Sequence, residues 1–104
     1  MIIEMTIPER LYTMGILPQE GSFLTLRVIR ELTSKVGFSA DEIDTYELKE
    51  IDGRVEWNPN IKTTKDIEFL DSELDIIKLS LIKLDKEEKL DQNTAVIYEK
   101  FMLR

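Results

Sequence analysis

Residues 47–57, with the sequence ELKEIDGRVEW, decide the fold class of this chain. Two runs of alternating apolar and polar residues flank Asp52-Gly53, and Asp-Gly between such runs is typical of a two-residue turn in a β-hairpin. The pattern therefore predicts a hairpin over residues 46–57. Apolar residues elsewhere mostly have helical spacing, so the predicted fold class is α+β, with a small antiparallel sheet packed against about four helices.

The turn also predicts the register of the hairpin. If Ile51 pairs with Arg54, successive side chains point to opposite faces of the hairpin. Lys49 then lies opposite Glu56 on a charged face. The other face is apolar and consists of Tyr46, Leu48, Val55 and Trp57. We expect this apolar face to pack against the helices.

Length and composition limit the classes of protein to which this chain can belong. Its 104 residues suit a single domain, residues 1–104, with a hydrophobic core. The chain contains no cysteine and no histidine, which excludes disulfides, thiolate zinc sites and histidine as a general base. It also has no glycine-rich phosphate loop and no nucleophile motif. The sequence therefore favours a protein that is not an enzyme, and it assigns no catalytic residue and no cofactor.

The net charge of −7 is concentrated in one part of the sequence. Residues 41–56, here called the acidic segment, contain seven acidic and two basic residues, a local balance of −5. Proteins that bind nucleic acid use clustered lysine and arginine, so direct nucleic-acid binding is not expected. The acidic segment either meets a basic partner protein, in the sharpest version by imitating nucleic acid, or only keeps the protein soluble.

Capping residues and helical spacing predict the remaining elements. Ser39 and Glu42 form a capping-box pattern, which predicts a short helical turn through Asp44. The alternating residues Asp66–Phe69 predict a short third strand. The four main helices are predicted from Thr6 to about Met14, from Phe23 to Val36 with Gly37 as the stop, from Asp71 or Ser72 to about residue 86, and from Gln92, after an Asp91 cap, to about Phe101.

The longest predicted helix, over about residues 72–86, is apolar on more than one face. Its main stripe has spacings of three and four residues and consists of Leu74, Ile77, Leu81 and Leu84. Ile76, Leu79 and Ile82 widen this apolar surface. A helix of this kind is either central or shares part of its surface with another chain, so we expect a homodimer.

Aromatic residues offer further candidates for an interface. Trp57 belongs either to the layer against the helices or to an exposed anchor, because tryptophan is frequent at interface hot spots. Tyr98 belongs either to the core or to an exposed interface, whereas Phe101 is expected in the core. The residues assigned to the candidate interface are Trp57, Ile76, Leu79, Ile82 and Tyr98.

Two groups of carboxylates raise the question of a cation site. Asp71 and Asp75 lie one helical turn apart at a helix start, but the helix dipole alone favours acidic residues there. A second group, Asp41, Glu42 and Asp44, lacks the spacing and the glycine of an EF-hand. The sequence assigns no metal to either group.

Short stretches spread over nearly the whole chain form a recognisable set. They are residues 8–11 (PERL), 17–26 (LPQEGSFLTL) and 29–30, Phe38-Ser39 with Asp41-Glu42, residues 55–57, Ile76-Ile77 and residues 98–101 (YEKF). This set resembles a group of small proteins encoded by phages and prophages of Gram-positive bacteria. The resemblance implies expression inside a bacterial host and a role in host takeover, phage regulation or assembly. It implies no site residues, because no activity is established for the group.

The N-terminal residues predict neither secretion nor membrane insertion. No basic segment precedes the apolar residues of Met1–Met5. No apolar run approaches the roughly 20 residues of a membrane span. We therefore expect a cytoplasmic location, in the bacterial host if the protein is phage-derived, and no membrane partner.

The leading hypothesis is a non-enzymatic accessory protein that acts by binding another protein, as a homodimer. It follows from the missing catalytic residues, the apolar long helix and the acidic segment. A second hypothesis is a small-molecule or nucleotide-binding domain that uses a pocket between the hairpin and the helices, with Arg27, Arg30 and Arg54 as the contacts to an anion. A third is a carboxylate–metal enzyme that uses Asp71 and Asp75.

Overall fold

Five helices and four short strands make up residues 1–103, the part of the chain that this computed structural model describes. In chain order they are β1 (Ile2–Met5), α1 (Ile7–Ile16), α2 (Phe23–Val36), α3 (Ala40–Tyr46), β2 (Lys49–Ile51), β3 (Arg54–Glu56), β4 (Lys65–Glu68), α4 (Asp71–Lys86) and α5 (Gln92–Met102). The predicted α+β class is confirmed.

The strands form two separate antiparallel pairs, where the sequence suggested one sheet. The predicted third strand is present as β4, but it pairs with β1 and not with the hairpin. β1 was not predicted. It buries Ile3 and Met5 on one side, and Ile3 lies opposite the buried Ile67 of β4. The two strands bury apolar side chains together, whereas β2 and β3 contain no buried residue.

Four of the five described helices begin at capping residues that the sequence indicates, whereas Leu70 before α4 makes no side-chain capping bond. Each of the four caps accepts a hydrogen bond from the backbone N–H three residues later, as seen for Thr6 (3.2 Å), Ser22 (3.1 Å), Ser39 (3.1 Å) and Asp91 (2.8 Å). These bonds satisfy donors that have no partner inside the helix. The predicted limits of α2 agree with the structure, whereas α1, α3 and α5 extend one or two residues beyond their predicted ends.

One hydrophobic core joins the β1–β4 pair to the four longer helices. Phe69, which follows β4, meets Phe101 of α5 edge to face, with ring centroids 5.5 Å apart and an interplanar angle of 81°. This contact confirms the core position expected for Phe101. The buried apolar residues are Ile3, Met5, Ile7, Leu17, Ile29, Leu32, Val36, Ile67, Phe69, Leu74, Ile77, Leu81, Ile97 and Phe101.

Three glutamates join helix starts to other helices. Glu9, Glu42 and Glu73 each occupy the third position of a helix and accept a hydrogen bond from the backbone N–H of the residue before that helix. Each also binds a basic side chain of a different helix. The pairs are Glu9 with Lys100, Glu42 with Arg10 and Glu73 with Lys35, all at 2.7 Å. One carboxylate thus satisfies a helix start and fixes that helix against its neighbour.

The hairpin has the predicted register but lies outside the core. Lys49 is opposite Glu56, and Ile51 is opposite Arg54. The turn residues Asp52 and Gly53 have φ values of 51° and 77°, as a turn with two left-handed residues requires. Backbone hydrogen bonds at 3.0 Å hold the base of the hairpin, from the Leu48 N–H to the Ile43 carbonyl and from the Asn58 N–H to the Tyr46 carbonyl.

Candidate functional site

An open apolar groove lies between α1 and the hairpin. Its volume is about 320 Å³, at the lower end of the roughly 300–1,000 Å³ that is usual for ligand pockets. Four parts of the fold contribute to it: α1, the α2–α3 connection, α3 and the hairpin. The residues that line the groove are Leu11, Met14, Gly37, Phe38, Ile43, Leu48, Lys49, Glu50 and Val55.

The groove lies between two apolar surfaces that face each other but do not pack together. Leu11 and Met14, one turn apart on α1, are only half-buried. Leu48 and Val55 line the opposite wall and are also half-buried. The sequence predicts an apolar face of the hairpin packed against the helices, and the structure corrects this. The face is present, but open space separates it from α1.

Arg10 has a fully buried side chain and holds two residues that line the groove, Gly37 and Phe38. Its Nε donates to the carbonyl of Val36 at 3.0 Å, and Nη2 donates to the carbonyl of Gly37. Nη1 and Nη2 donate to the two oxygens of Glu42 at 2.7 and 3.0 Å. The guanidinium carbon also lies 4.1 Å from the centre of the Phe38 ring. Arg10 therefore connects the end of α2, the start of α3 and the groove-lining residues Gly37 and Phe38.

The Arg10–Glu42 pair is ionised and structural. Hydrogen bonding to Arg10 lowers the pKa of Glu42 from 4.5 to about 2, although burial acts in the opposite direction. The Glu42 side chain is only 15% exposed. Its negative charge is thus matched inside the protein, and it contributes little to the charge that a partner would meet.

The remaining acidic residues of the acidic segment are exposed on α3, on the hairpin and between them. They are Asp41, Asp44, Glu47, Glu50, Asp52 and Glu56. The basic residues of the same segment are Lys49 and Arg54, so the six exposed carboxylates exceed the bases by four. Glu50 and Lys49 line the groove itself, so the excess of negative charge comes from the rest of the segment. The groove therefore has apolar walls and belongs to a part of the fold, α3 and the hairpin, that carries excess negative charge.

The residues assigned to an interface from the sequence do not line this groove. Trp57 is half-buried, and with Val55, Glu56 and Pro59 it borders another open depression, of about 370 Å³, next to β3. The others lie on α4 and α5: Ile76, Ile82 and Tyr98 are half-buried, and Leu79 is 65% exposed. The structure therefore does not bring all five residues together. The second hypothesis from the sequence uses a pocket between the hairpin and the helices, which is where the groove lies. Of the lining, the sequence indicated only the hairpin residues, because the lining residues of α1, α3 and the α2–α3 connection belong to no binding motif.

The alternative sites from the sequence are also dispersed. Arg27 and Arg30 are exposed on α2, Arg54 is exposed on β3, and none of the three lines the groove. Asp71 and Asp75 are exposed at the start of α4. Within residues 1–103, no group of three or more histidine, cysteine, aspartate or glutamate side chains could hold a metal ion.

Compared with protein-family models, with curated proteins and with solved structures, the chain matches none of them. The resemblance to phage and prophage proteins therefore stays a prediction. In the part of the chain that the structure describes, no helix is both long enough and apolar enough to cross a membrane. The groove and the charges around it are the observations from which a function can be proposed.

Proposed function

We propose that this protein is a non-enzymatic accessory protein that acts by binding another protein in the groove. The supporting observation is the open apolar space between α1 and the hairpin, with half-buried side chains on both walls. Apolar surface in contact with water costs about 25 cal/mol per Å² relative to buried surface. A lined concavity of this kind is typical of a binding site. The resemblance to phage and prophage proteins favours a bacterial cytoplasm as the place of action.

Two isoleucines provide a matched test of the groove. Ile43 lines the groove and is 46% exposed, whereas Ile51 lies outside it and is 43% exposed. Replacing either residue with lysine changes the net charge equally and leaves the core untouched. Only Ile43→Lys places a charge between the apolar walls.

The experiment identifies a partner from the groove and then measures its affinity. A photo-crosslinking amino acid is placed at position 43 or 51, and a protein that crosslinks from position 43 alone is purified. We expect this partner to bind the wild type and Ile51→Lys equally. It should bind Ile43→Lys at least about tenfold more weakly, as for the loss of one interface anchor. Equal binding by the two lysine variants would show that the groove is not the site.

The proposal includes a homodimer formed through the outer surface of α4. Leu79 is 65% exposed there, and Ile76 and Ile82, each three residues away, are half-buried. The three residues lie on neighbouring positions of one helix surface. An exposed apolar surface of this kind is typical of a contact between chains.

Light scattering tests the homodimer. At micromolar concentration the wild type is expected to have twice the chain mass of 12.2 kDa. Leu79→Glu should shift the protein to the monomer, because the dimer would bury an unpaired charge. Leu103→Glu changes a leucine that is 70% exposed at the end of α5 and should leave the dimer intact. A wild type that is strictly monomeric would refute the homodimer and leave the groove proposal standing.

A further inference from the structure

We infer that the partner segment held by the groove is basic and amphipathic, with large apolar side chains entering the groove and lysine or arginine side chains meeting the acidic segment. This inference rests on the proposed function and adds the chemistry of the partner. It combines two features of the region formed by α3 and the hairpin, the apolar walls of the groove and the excess of carboxylates over bases. Neither feature alone would distinguish this partner from others.

The negative charge of the acidic segment disfavours several classes of partner. The acidic segment contains six exposed carboxylates and two bases, of which Lys49 lines the groove together with Glu50. Lys65, 3.8 Å from Glu42, is a further nearby base. An acidic peptide or a nucleic acid would meet net repulsion, because its charges have the same sign as the surface. A basic segment would be attracted at a distance and would associate faster.

The size and lining of the groove select for apolar side chains in that segment. The volume of about 320 Å³ suits a few side chains and not an extended ligand. Leu11 and Met14 on one wall and Leu48 and Val55 on the other offer contacts on both sides. A peptide that carries positive charge without an apolar face would leave these walls exposed to water. Charge alone is therefore insufficient for tight binding.

Glu50 connects the two features. It belongs to the acidic segment and also lines the groove, on the hairpin face that carries Val55 opposite it in the neighbouring strand. A basic side chain beside an anchored apolar residue would reach this carboxylate at the edge of the groove. Glu56 lies on the same hairpin but outside the groove, opposite Lys49. The two glutamates thus form a matched pair for an experiment.

The experiment uses three synthetic peptides of about 14 residues, close to four helical turns. The first has leucines at spacings of three and four residues and lysines elsewhere, and the second has glutamine in place of every lysine. The third has the composition of the first in scrambled order, so that its leucines do not share one face. Binding is measured by fluorescence anisotropy, and the site is located by chemical-shift changes of the protein.

We expect the first peptide to bind at least about tenfold more tightly than either of the others. Glu50→Gln should weaken this binding by about two- to fivefold, whereas Glu56→Gln should not. Ile43→Lys should weaken it at least about tenfold, with Ile51→Lys as the control. Raising the ionic strength from about 0.1 to about 1 M, which shortens the screening length from about 10 to about 3 Å, should reduce the advantage over the glutamine peptide.

The outcomes separate the inference from the proposed function. If the glutamine peptide binds as tightly as the lysine peptide and Ile43→Lys weakens both, the groove binds a partner segment but the basic character is refuted. If the scrambled peptide binds as tightly as the first, attraction is purely electrostatic and the inference is refuted. If the crosslinked partner binds through the groove with a neutral or acidic segment, the inference fails and the proposed function is retained. If no peptide shifts the groove signals and the partner ignores Ile43→Lys, both fail.

Discussion

Replacing Arg10 with methionine is expected to lower the free energy of unfolding by about 3 kcal/mol. The guanidinium is fully buried and makes hydrogen bonds to Val36, Gly37 and Glu42. Methionine fills much of the space but donates no hydrogen bond. The carbonyls of Val36 and Gly37 and the carboxylate of Glu42 would then be left without their buried hydrogen-bond donor. Leaving them unpaired costs more free energy than the Arg10–Glu42 pair itself contributes to stability. A loss of this size is a large fraction of the roughly 5–15 kcal/mol of a typical domain.

Urea unfolding measures this effect against two controls. Arg27→Met changes an exposed arginine of α2 and should alter stability by no more than about 0.5 kcal/mol. The double variant Arg10→Met with Glu42→Gln removes the charge left behind, and the amide oxygen can still accept from the Ser39 N–H. We therefore expect the double variant to be more stable than Arg10→Met alone. A loss below about 1 kcal/mol in Arg10→Met would contradict the structural role assigned to this side chain.

The same pair predicts a dependence of stability on acid. The pKa of Glu42 is about 2 in the folded protein and 4.5 as an ordinary glutamate. A carboxyl group with a lowered pKa stabilises the fold fully above its unfolded pKa, and the contribution is lost as the pH falls through the folded value. Between about pH 4.5 and pH 2 the wild type should therefore lose this contribution. In Arg10→Met the largest cause of the lowered pKa is already missing, so the stability gap between the two proteins should narrow over this range.

Phe101→Ala is expected to lower the free energy of unfolding by about 3–5 kcal/mol. Phe101 is 3% exposed, and its ring packs against Phe69, which is 1% exposed. The substitution removes buried apolar surface and leaves a cavity where α5 meets the β1–β4 pair. Thermal and urea unfolding monitored by circular dichroism measure the change.

Leu103 provides the control for Phe101, because it is two residues further along the chain and 70% exposed. Leu103→Ala should change stability by no more than about 0.5 kcal/mol. If Phe101→Ala were as mild as Leu103→Ala, α5 would not form part of the core. Its packing against α1 and α4 would then need to be reconsidered.

Local signals in the sequence predicted much of the fold. The hydrogen bonds of Thr6, Ser22, Ser39 and Asp91 connect residues three apart, so each cap can be recognised within one turn of sequence. The Asp52-Gly53 turn fixes the hairpin register in the same local way. These features depend on neighbouring residues only, and single-sequence reasoning is sufficient for them.

Pairings between distant residues could not be predicted in this way. β1 and β4 are joined by pairs such as Ile3 with Ile67, and Glu9 meets Lys100 near the other end of the chain. Glu9 follows Thr6 at the spacing of a capping box, yet nothing nearby in the sequence indicates its second partner. The sequence suggested a pocket between the hairpin and the helices, but most residues that line the groove could not be predicted, for the same reason. Its walls come from separate parts of the chain, and the gap between them depends on how α1 and the hairpin are placed.

The two walls of the groove are attached to the rest of the fold to different degrees. α1 is built into the core through Ile7 and Arg10, both fully buried. Each strand of the hairpin has three residues, and none of their side chains is buried. Apart from the hydrogen bonds between β2 and β3, backbone hydrogen bonds hold the hairpin at its base only. An isolated two-stranded hairpin is marginally stable in water. α1 is therefore held more firmly than the hairpin. If the groove binds a partner segment as proposed, we expect its width to adjust to the occupant, so that side chains of unequal size can be accepted.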